Sequence, residues 1–232
     1  MRALLLAAGL GTRLRPLTDT LPKCLVPVHG RPLLSYWLEL LFAGGIERVL
    51  INTHWLGDRV RQFVEQSPWR SRVDLVDEPD LLGTGGTVLA NRDWFGPGPF
   101  LVAHADNLTE LDVGGLIAAH ANRPAGCVMT MLTFRTDDPS SCGILELDRQ
   151  NVVQAFHEKV ANPPGNLANA AVYVFEPDIV AALVRLGRPK IDLSTEVIPS
   201  YLGKILAVET KGYHRDIGTA ESLLRANSEY MK

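Results

Sequence analysis

Apolar positions in the first half of the chain fall into short continuous runs separated by longer stretches with helical periodicity. Short apolar runs are typical of buried strands, and longer periodic stretches are typical of helices. The predicted strands cover residues 2–7, 49–52, 73–76 and 100–103, and the predicted helices cover residues 33–43, 57–66, 85–91 and 113–121. Because strands and helices alternate, we expect a parallel sheet covered by helices on both faces.

The second half of the chain contains more predicted strands and fewer helices. Turn-separated apolar segments predict strands at 127–134, 143–147, 152–157, 170–175, 205–209 and 213–215, and helices at 178–186 and 219–230. Thr219 is expected to cap the last helix, with Glu221 in its first turn. Since no linker or repeat interrupts the chain, we expect one domain over residues 1–232 in which the second half extends the same sheet.

Composition and charge narrow the class of protein. The 232 residues are 46% hydrophobic and 21% charged, as in soluble globular proteins. The formal net charge of -3 argues against a nucleic-acid-binding surface. The 3 cysteines, Cys24, Cys127 and Cys142, include no Cys-x-x-Cys pair, which argues against a disulfide framework or a zinc site. The apolar run at 3–8 is too short for a signal peptide or a membrane span, so we expect a cytoplasmic protein without a membrane partner.

The first predicted strand runs into a glycine-rich turn that contains Gly9, Gly11 and Thr12, with Arg13 beside them and Lys23 further along between two prolines. Glycines let backbone N–H groups approach an anion closely, and the two cations supply charge, so this turn is predicted to bind a polyphosphate. A dinucleotide fingerprint would need a third glycine at position 14, and a P-loop would need Gly-Lys-Ser or Gly-Lys-Thr at positions 14–16. The chain has Leu-Arg-Pro there, which excludes both motifs. An ordinary strand-to-helix turn is the alternative.

Two longer motifs make the prediction more specific. The chain reads Gly-Leu-Gly-Thr-Arg-Leu-Arg-Pro-Leu-Thr at 9–18 and Pro-Lys-Cys-Leu-Val-Pro-Val-His-Gly-Arg-Pro at 22–32. Together they resemble the N-terminal signature of the sugar-1-phosphate nucleotidyltransferases, also called NDP-sugar pyrophosphorylases. The resemblance continues at 82–86, 105–107, 158–159, 169–170 and 216–219, in the order of the family, and so covers nearly the whole chain.

This resemblance implies a fold and a reaction. The fold would be α/β, a three-layer α/β/α core with a mixed, mostly parallel central sheet and no C-terminal β-helix. A nucleotide-binding half would span about 1–125 and a sugar-phosphate-binding half about 126–232. The reaction would be attack of a sugar-1-phosphate oxygen on the α-phosphorus of a nucleoside triphosphate, with release of pyrophosphate. Such catalysis needs positioning and electrostatic stabilisation rather than a nucleophilic side chain.

The resemblance also assigns residues on the nucleotide side. Arg13 would contact the triphosphate and steady the leaving pyrophosphate, and Lys23 would neutralise charge near the α-phosphate. The cofactor would be Mg²⁺, with Asp106 and Asp216 as its ligands. The alternatives are solvated surface cations for the two basic residues and turn or helix caps for the two aspartates. The remaining nucleotide-binding residues would be Ala8, Gly9, Gly11, Thr12, Gly83, Thr84 and Gly85.

The choice of base is predicted from residues 82–86, which read Leu-Gly-Thr-Gly-Gly. This resembles the guanylyltransferases for mannose 1-phosphate or D-glycero-D-manno-heptose 1-phosphate, which serve surface polysaccharide synthesis. Thymidylyltransferases tend to carry a glutamine in this segment, which is absent here. Two other functions stay open: transfer of a uridylyl or thymidylyl group, and a non-catalytic paralogue that binds nucleotide sugars. For residues 82–86 themselves, the alternative is a glycine-rich helix start that only packs against the sheet.

The sugar side is assigned by the same resemblance to Gly143, Glu158, Lys159 and Asn169. Glycine would let the backbone approach the sugar, the glutamate and asparagine would bond its hydroxyls, and the lysine would neutralise its phosphate. Two departures from the family are visible. His104-Ala105 precedes Asp106 where an asparagine and a glycine are common, and Ala171 replaces a frequent glycine. The apolar helix at 33–43 would suit either the core or an interface, so a homo-oligomer is possible.

Overall fold

The computed structural model describes residues 1–230 and contains thirteen strands and seven α-helices. The strands are β1 (Arg2–Leu6), β2 (Pro27–Val28), β3 (Arg31–Pro32), β4 (Arg48–Thr53), β5 (Val73–Asp77), β6 (Phe100–His104), β7 (Asn107–Thr109), β8 (Met129–Arg135), β9 (Gly143–Leu147), β10 (Val153–Glu158), β11 (Leu167–Phe175), β12 (Ile205–Glu209) and β13 (His214–Asp216). The helices are α1 (Leu33–Ala43), α2 (Gly57–Gln66), α3 (Gly83–Ala90), α4 (Arg92–Phe95), α5 (Val113–Ala121), α6 (Asp178–Arg185) and α7 (Ala220–Glu229).

The described residues divide into two compact units. Unit 1 comprises Met1–Leu81, Ala103–Leu111 and the chain from Gly212 onwards, and unit 2 comprises Leu82–Val102 and Asp112–Lys211. Both units are therefore built from separate segments of the chain, which passes from unit 2 to unit 1 inside β6.

Unit 1 contains three parallel strands in the order β1, β4, β5. Leu5 of β1 pairs with Ile51 of β4, which in turn pairs with Leu75 of β5. Continuous apolar runs suit strands that are buried on both faces, and Leu4 and Leu5 are fully buried as this requires. Two short antiparallel pairs, β2 with β3 and β7 with β13, complete the strands of this unit.

A small hydrophobic cluster in unit 1 supports the segments that carry the candidate site. Its buried members are Leu14, Val26, Val28, Leu33, Leu108, Ile217, Ala226 and Tyr230. They come from the end of the glycine-rich turn, β2 and the residue before it, α1, β7, the chain after β13, and α7 and the residue after it. Trp37 of α1 adds a polar tie, because its indole N–H donates to the backbone oxygen of Asn107 at 2.8 Å. The cluster fixes these otherwise short and irregular segments to one another.

Unit 2 is built around β11, which pairs antiparallel with both β8 and β9. β10 pairs antiparallel with β9, and β12 pairs parallel with β8. The register of β11 against β8 shifts between Asn169 and Tyr173, and Ala171 within this bulge has a φ of 54°. A bulge redirects the side chains on either side of it, so residues near 169 have an orientation that a regular strand would not give them.

The predicted α/β class with a mixed, mostly parallel sheet is confirmed. The predicted and observed bounds agree for three helices and two strands. These are the helices at 33–43, 57–66 and 113–121 and the strands at 143–147 and 205–209. The strand predicted at 170–175 begins three residues earlier, at Leu167, and the helix predicted at 85–91 begins at Gly83. Within residues 1–230, no helix is long and apolar enough to cross a membrane.

Candidate active site

Four predicted site residues that are distant in the sequence meet in unit 1. The ammonium nitrogen of Lys23 lies 2.6 Å from Asp106 Oδ2 and 3.1 Å from Asp216 Oδ1. Arg13 Nη2 lies 3.7 Å from Asp216 Oδ2. Two cations and two carboxylates thus form one cluster, as expected if they serve a single site.

Backbone pairing places the two carboxylates of this cluster. Asp216 ends β13 and is paired across the antiparallel ribbon with Asn107, the first residue of β7. The N–H of Ile217 donates to the backbone oxygen of Asp106 at 2.9 Å. Lys23 begins a single 3-10 turn, Lys23–Leu25, whose backbone is bonded to its own neighbours. The two carboxylates are therefore held by backbone hydrogen bonds, and the lysine reaches them with its long side chain.

The electrostatics of the cluster favour the charged forms of Lys23 and Asp106. Burial alone would lower the pKa of Lys23, which is 7% exposed, but Asp106 and Asp216 raise it above its usual value. Burial alone would raise the pKa of Asp106, but Lys23 and then His104 hold it below its usual value. Removing Lys23 would leave two carboxylates without their shared counter-ion.

The donor set of the cluster fits a magnesium ion. Asp106 and Asp216 direct one carboxylate oxygen each at a common cation, the Lys23 ammonium. Mg²⁺ usually takes one or two protein carboxylates and completes its shell with phosphate oxygens and water. Residues 1–230 contain no group of three or more His, Cys, Asp or Glu side chains placed to hold a metal ion. A pair of carboxylates is thus suited to a metal that arrives with a phosphorylated ligand.

The two glycines of the glycine-rich turn, Gly9 and Gly11, have different surroundings. Gly11 has a φ of 62°, and a Cβ there would lie 2.9 Å from Thr18 Cγ2. Thr18 Oγ1 also donates to the backbone oxygen of Gly11 at 2.7 Å. Gly11 is therefore required by the conformation of the turn itself. Gly9 has open space where a Cβ would be, which leaves room for a ligand beside the backbone.

Two residues that the sequence analysis missed support the start of this turn. The N–H of Ala7 donates to Asn52 Oδ1 at 2.7 Å, and Asn52 Nδ2 donates to Glu78 Oε1 at 3.1 Å. Asn52 is 3% exposed and Glu78 is 5% exposed. They fix the backbone of Ala7, immediately before Ala8 and Gly9. The signal in the sequence was a polar residue at the end of an apolar strand.

An open pocket of about 630 Å³ lies at the carboxyl ends of β4 and β5, next to the first turn of α2. Thr53, Asp77 and Glu78 are among its lining residues, and Thr53 Oγ1 donates to Asp77 Oδ1. Carboxyl ends of strands are where open α/β sheets bind ligands. No residue of the predicted site lines this pocket.

In unit 2, the glycines of residues 83–86 pack against the segment at 189–191. The N–H groups of Gly85 and Gly86 donate to the backbone oxygen of Ile191 at 2.9 and 3.2 Å. A Cβ on Gly83 would lie 2.5 Å from that oxygen, and a Cβ on Gly86 would lie 2.2 Å from the backbone oxygen of Pro189. These glycines are thus needed for close packing inside the unit, and base binding by Gly83 and Gly85 stays a prediction.

Thr84 is held by the same segment. Its Oγ1 accepts from the N–H of Leu193 at 2.7 Å and donates to Asp192 Oδ2 at 3.3 Å. The hydroxyl of Thr84 is therefore engaged within unit 2, and its contact with a nucleotide stays a prediction.

The predicted sugar-binding residues Gly143 and Glu158 are direct neighbours in unit 2. They are opposite one another in the antiparallel pair of β9 and β10. A Cβ on Gly143 would lie 2.6 Å from Glu158 Oε2. Lys159 follows with a φ of 50°, and its Nζ lies 3.4 Å from Glu158 Oε1. Because a Cβ on Gly143 would also lie 2.5 Å from Phe156 Cζ, the glycine makes room for both Phe156 and Glu158, and the glutamate carboxylate stays next to a cation.

Asn169 lies on the bulge of β11 and has both ends of its amide engaged. Its Nδ2 donates to the Tyr173 hydroxyl at 2.7 Å, and its Oδ1 accepts from the N–H of Ala171 at 2.9 Å. Tyr173 is fully buried, and burial raises the pKa of its hydroxyl. The orientation of the Asn169 side chain is therefore set by its own strand.

Comparison with known proteins shows the family of the chain. Residues 2–232 match the sequence profile of the family described as nucleotidyl transferase. The chain belongs to the nucleotidyl transferase family. Several curated members of this family are similar over almost its whole length.

The chain is 32% identical to a mannose-1-phosphate guanylyltransferase of Mycobacterium tuberculosis, with 99% of this chain and 64% of the relative covered. It is 34% identical to a glucose-1-phosphate thymidylyltransferase of Streptomyces griseus, with 98% of this chain and 65% of the relative covered. The chain thus spans slightly less than two thirds of the length of these relatives. The crystal structure of HddC from Yersinia pseudotuberculosis complexed with GMP-PN superposes with a TM-score of 0.83 at 26% identity, with 99% of each chain covered.

Ala105 and Ala171, the two residues that depart from the expected pattern, both lie at constrained positions of the backbone. Ala105 is fully buried, and its N–H donates to the backbone oxygen of Leu6 at 3.0 Å. Ala171 lies in the left-handed region at a φ of 54°, where glycine is favoured because it has no Cβ. A glycine at position 171 would adopt this backbone without strain.

Proposed function

We propose that this chain transfers a guanylyl group from GTP to a sugar 1-phosphate, with D-glycero-D-manno-heptose 1-phosphate or mannose 1-phosphate as the acceptor. The products are a GDP-sugar and pyrophosphate. The observation that carries the proposal is the cluster of Arg13, Lys23, Asp106 and Asp216, which combines two cations for phosphate groups with two carboxylates for Mg²⁺.

In this proposal, the chain works by holding and screening two anionic substrates. Arg13 has a side chain that is 68% exposed, and its guanidinium can engage two phosphate oxygens of the triphosphate at once. Lys23 supplies a cation near the reacting phosphorus. Asp106 and Asp216 would hold Mg²⁺, which would polarise phosphate oxygens and offset their charge.

On the sugar side, Glu158 accepts hydrogen bonds from sugar hydroxyls, and Lys159 pairs with the sugar phosphate. Asn169 offers its amide to the same hydroxyls. The side chain of Lys159 is 66% exposed and that of Glu158 is 26% exposed, so both groups are accessible to a ligand.

Guanine is favoured as the base by the names of similar proteins. Mannose-1-phosphate guanylyltransferases are among the curated relatives, and HddC was crystallised with GMP-PN. The second candidate is thymidylyl or uridylyl transfer, which is favoured by the similarity to the thymidylyltransferase of Streptomyces griseus. A non-catalytic paralogue is disfavoured because all four residues of the charged cluster are retained.

The test is pyrophosphate release from GTP with each of the two sugar 1-phosphates in the presence of Mg²⁺. We expect Lys23→Ala and Asp106→Ala each to lower turnover by about 100-fold or more, because each removes an electrostatic contact to the reacting groups. Circular dichroism and a thermal melt serve as the control for folding. Turnover close to that of the wild type in either folded variant would remove that residue from the mechanism.

A further inference from the structure

The ammonium group of Lys23 occupies the position between Asp106 and Asp216. Lys23 Nζ lies 2.6 Å from one carboxylate and 3.1 Å from the other, and the lysine is 7% exposed. The carboxylates are more accessible, since their side chains are 34% and 53% exposed. The two aspartates therefore face solvent with one side while their inner oxygens hold an ammonium group.

The charges of the cluster are balanced without any added ion. Lys23 and Arg13 carry two positive charges, and Asp106 and Asp216 carry two negative ones. A divalent metal bound to both aspartates would come within a few ångströms of the ammonium if Lys23 stayed in place. Two positive charges at such distances repel each other, and more strongly the less water lies between them.

The backbone of Lys23 is held independently of its side chain. Its backbone is fixed, since the N–H of Val26 donates to the oxygen of Lys23 at 3.1 Å. Its four-carbon side chain is flexible, and its ammonium can move by rotation of side-chain bonds alone. An exchange of partners at the two carboxylates thus requires only a change of rotamer.

We infer that Lys23 is the internal counter-ion of the metal site and competes with the divalent metal for Asp106 and Asp216. In the free protein, the ammonium holds both carboxylates and metal binding is weak. When the metal takes the carboxylates, the ammonium is released and pairs with an anionic group of the ligand. Metal and polyphosphate therefore favour each other's binding. The inference rests on the proposed function in one respect, the assignment of the two aspartates as metal ligands.

The test measures metal binding to the full chain without nucleotide. Mn²⁺ is titrated into the protein, and the free ion is followed by electron paramagnetic resonance. We expect Lys23→Met to bind Mn²⁺ about tenfold more tightly than the wild type, or tighter still, because the competing charge is gone. The double variant Lys23→Met with Asp106→Asn should lose this gain. Lys23→Met should at the same time lose pyrophosphate release, so that metal affinity rises while turnover falls.

A matched control removes the same charge elsewhere. Arg31 pairs with a single carboxylate, Glu39, at 2.7 Å on the surface. Arg31→Met should bind Mn²⁺ like the wild type, which separates the local competition from the change in net charge. Lys23→Gln provides a second uncharged side chain at the site, with the same expected gain, should Lys23→Met fold poorly.

The outcomes distinguish this inference from the proposed function. The inferred competition is wrong if the folded uncharged variants bind Mn²⁺ no more tightly than the wild type. If the wild type releases pyrophosphate in that case, the proposed function still holds. Tighter binding that depends on Asp106, with a wild type that is inactive on all substrates, supports the competition and contradicts the function.

Discussion

Ala171 and Asn169 share one distorted stretch of β11, in which backbone strain and a candidate sugar contact are adjacent. The amide of Asn169 is engaged by the N–H of Ala171, whose φ of 54° turns that N–H towards it. A residue with a Cβ is strained in this region by about 1–2 kcal/mol. The alanine at this bulge therefore costs stability relative to a glycine.

Ala171→Gly is expected to stabilise the protein. The relief of strain exceeds the entropy that glycine adds to the unfolded chain, so the free energy of unfolding should rise by about 0.5–1 kcal/mol. Urea denaturation followed by circular dichroism measures the change. Ala170→Gly is the control, because Ala170 is 1% exposed and has no positive φ. It should lower stability, and a loss of stability in both variants would contradict the account of strain.

At the scale of elements, α3 depends on close backbone contact with the segment at 189–191. Gly85 and Gly86 both donate to the backbone oxygen of Ile191, and the site of a Cβ on Gly86 is blocked by a backbone oxygen that cannot move as a side chain would. The glycine motif at 83–86 therefore has a structural role that holds whether or not it also binds a base.

Gly86→Ala should lower the free energy of unfolding by about 2–3 kcal/mol, because the methyl group would overlap a backbone carbonyl and force the two segments apart. Gly98→Ala is the matched control, since nothing lies within 4 Å of the place its Cβ would take. Chemical denaturation measures the free energy of unfolding of both variants. Similar stabilities for the two would show that the contact at Pro189 is easily relaxed.

Most of the elements that could be predicted from the sequence have a full hydrophobic period, and the three-residue strand β13, predicted at 213–215, is an exception. α1 is bounded by Pro32 and Gly44 and has 11 residues, enough for its apolar periodicity to be visible, so its limits were predictable. β2, β3 and β7 have 2 or 3 residues each, too few for an alternation to be visible. The π-helical turn Leu193–Val197 is likewise too short for a period of its own. β7 matters most among these, because it pairs with the strand that carries Asp216.

At the scale of the whole molecule, the fold brings together groups that the sequence leaves far apart. Lys23 and Asp216 are separated by 193 positions and lie 3.1 Å apart. The motifs predicted that both residues act at one site, but not that the ammonium joins both carboxylates. That contact depends on the pairing of β7 with β13, and tertiary pairing of this kind leaves no local signal in the chain.

The central claim, guanylyl transfer to a sugar 1-phosphate, is tested most directly by the choice of nucleotide. The wild-type chain should be assayed with GTP, UTP and dTTP against mannose 1-phosphate and D-glycero-D-manno-heptose 1-phosphate, with Mg²⁺, by pyrophosphate release. We predict that kcat/KM for GTP exceeds that for either pyrimidine nucleotide by about tenfold or more with at least one acceptor. A value for UTP or dTTP that equals or exceeds the value for GTP with both acceptors would contradict the claim.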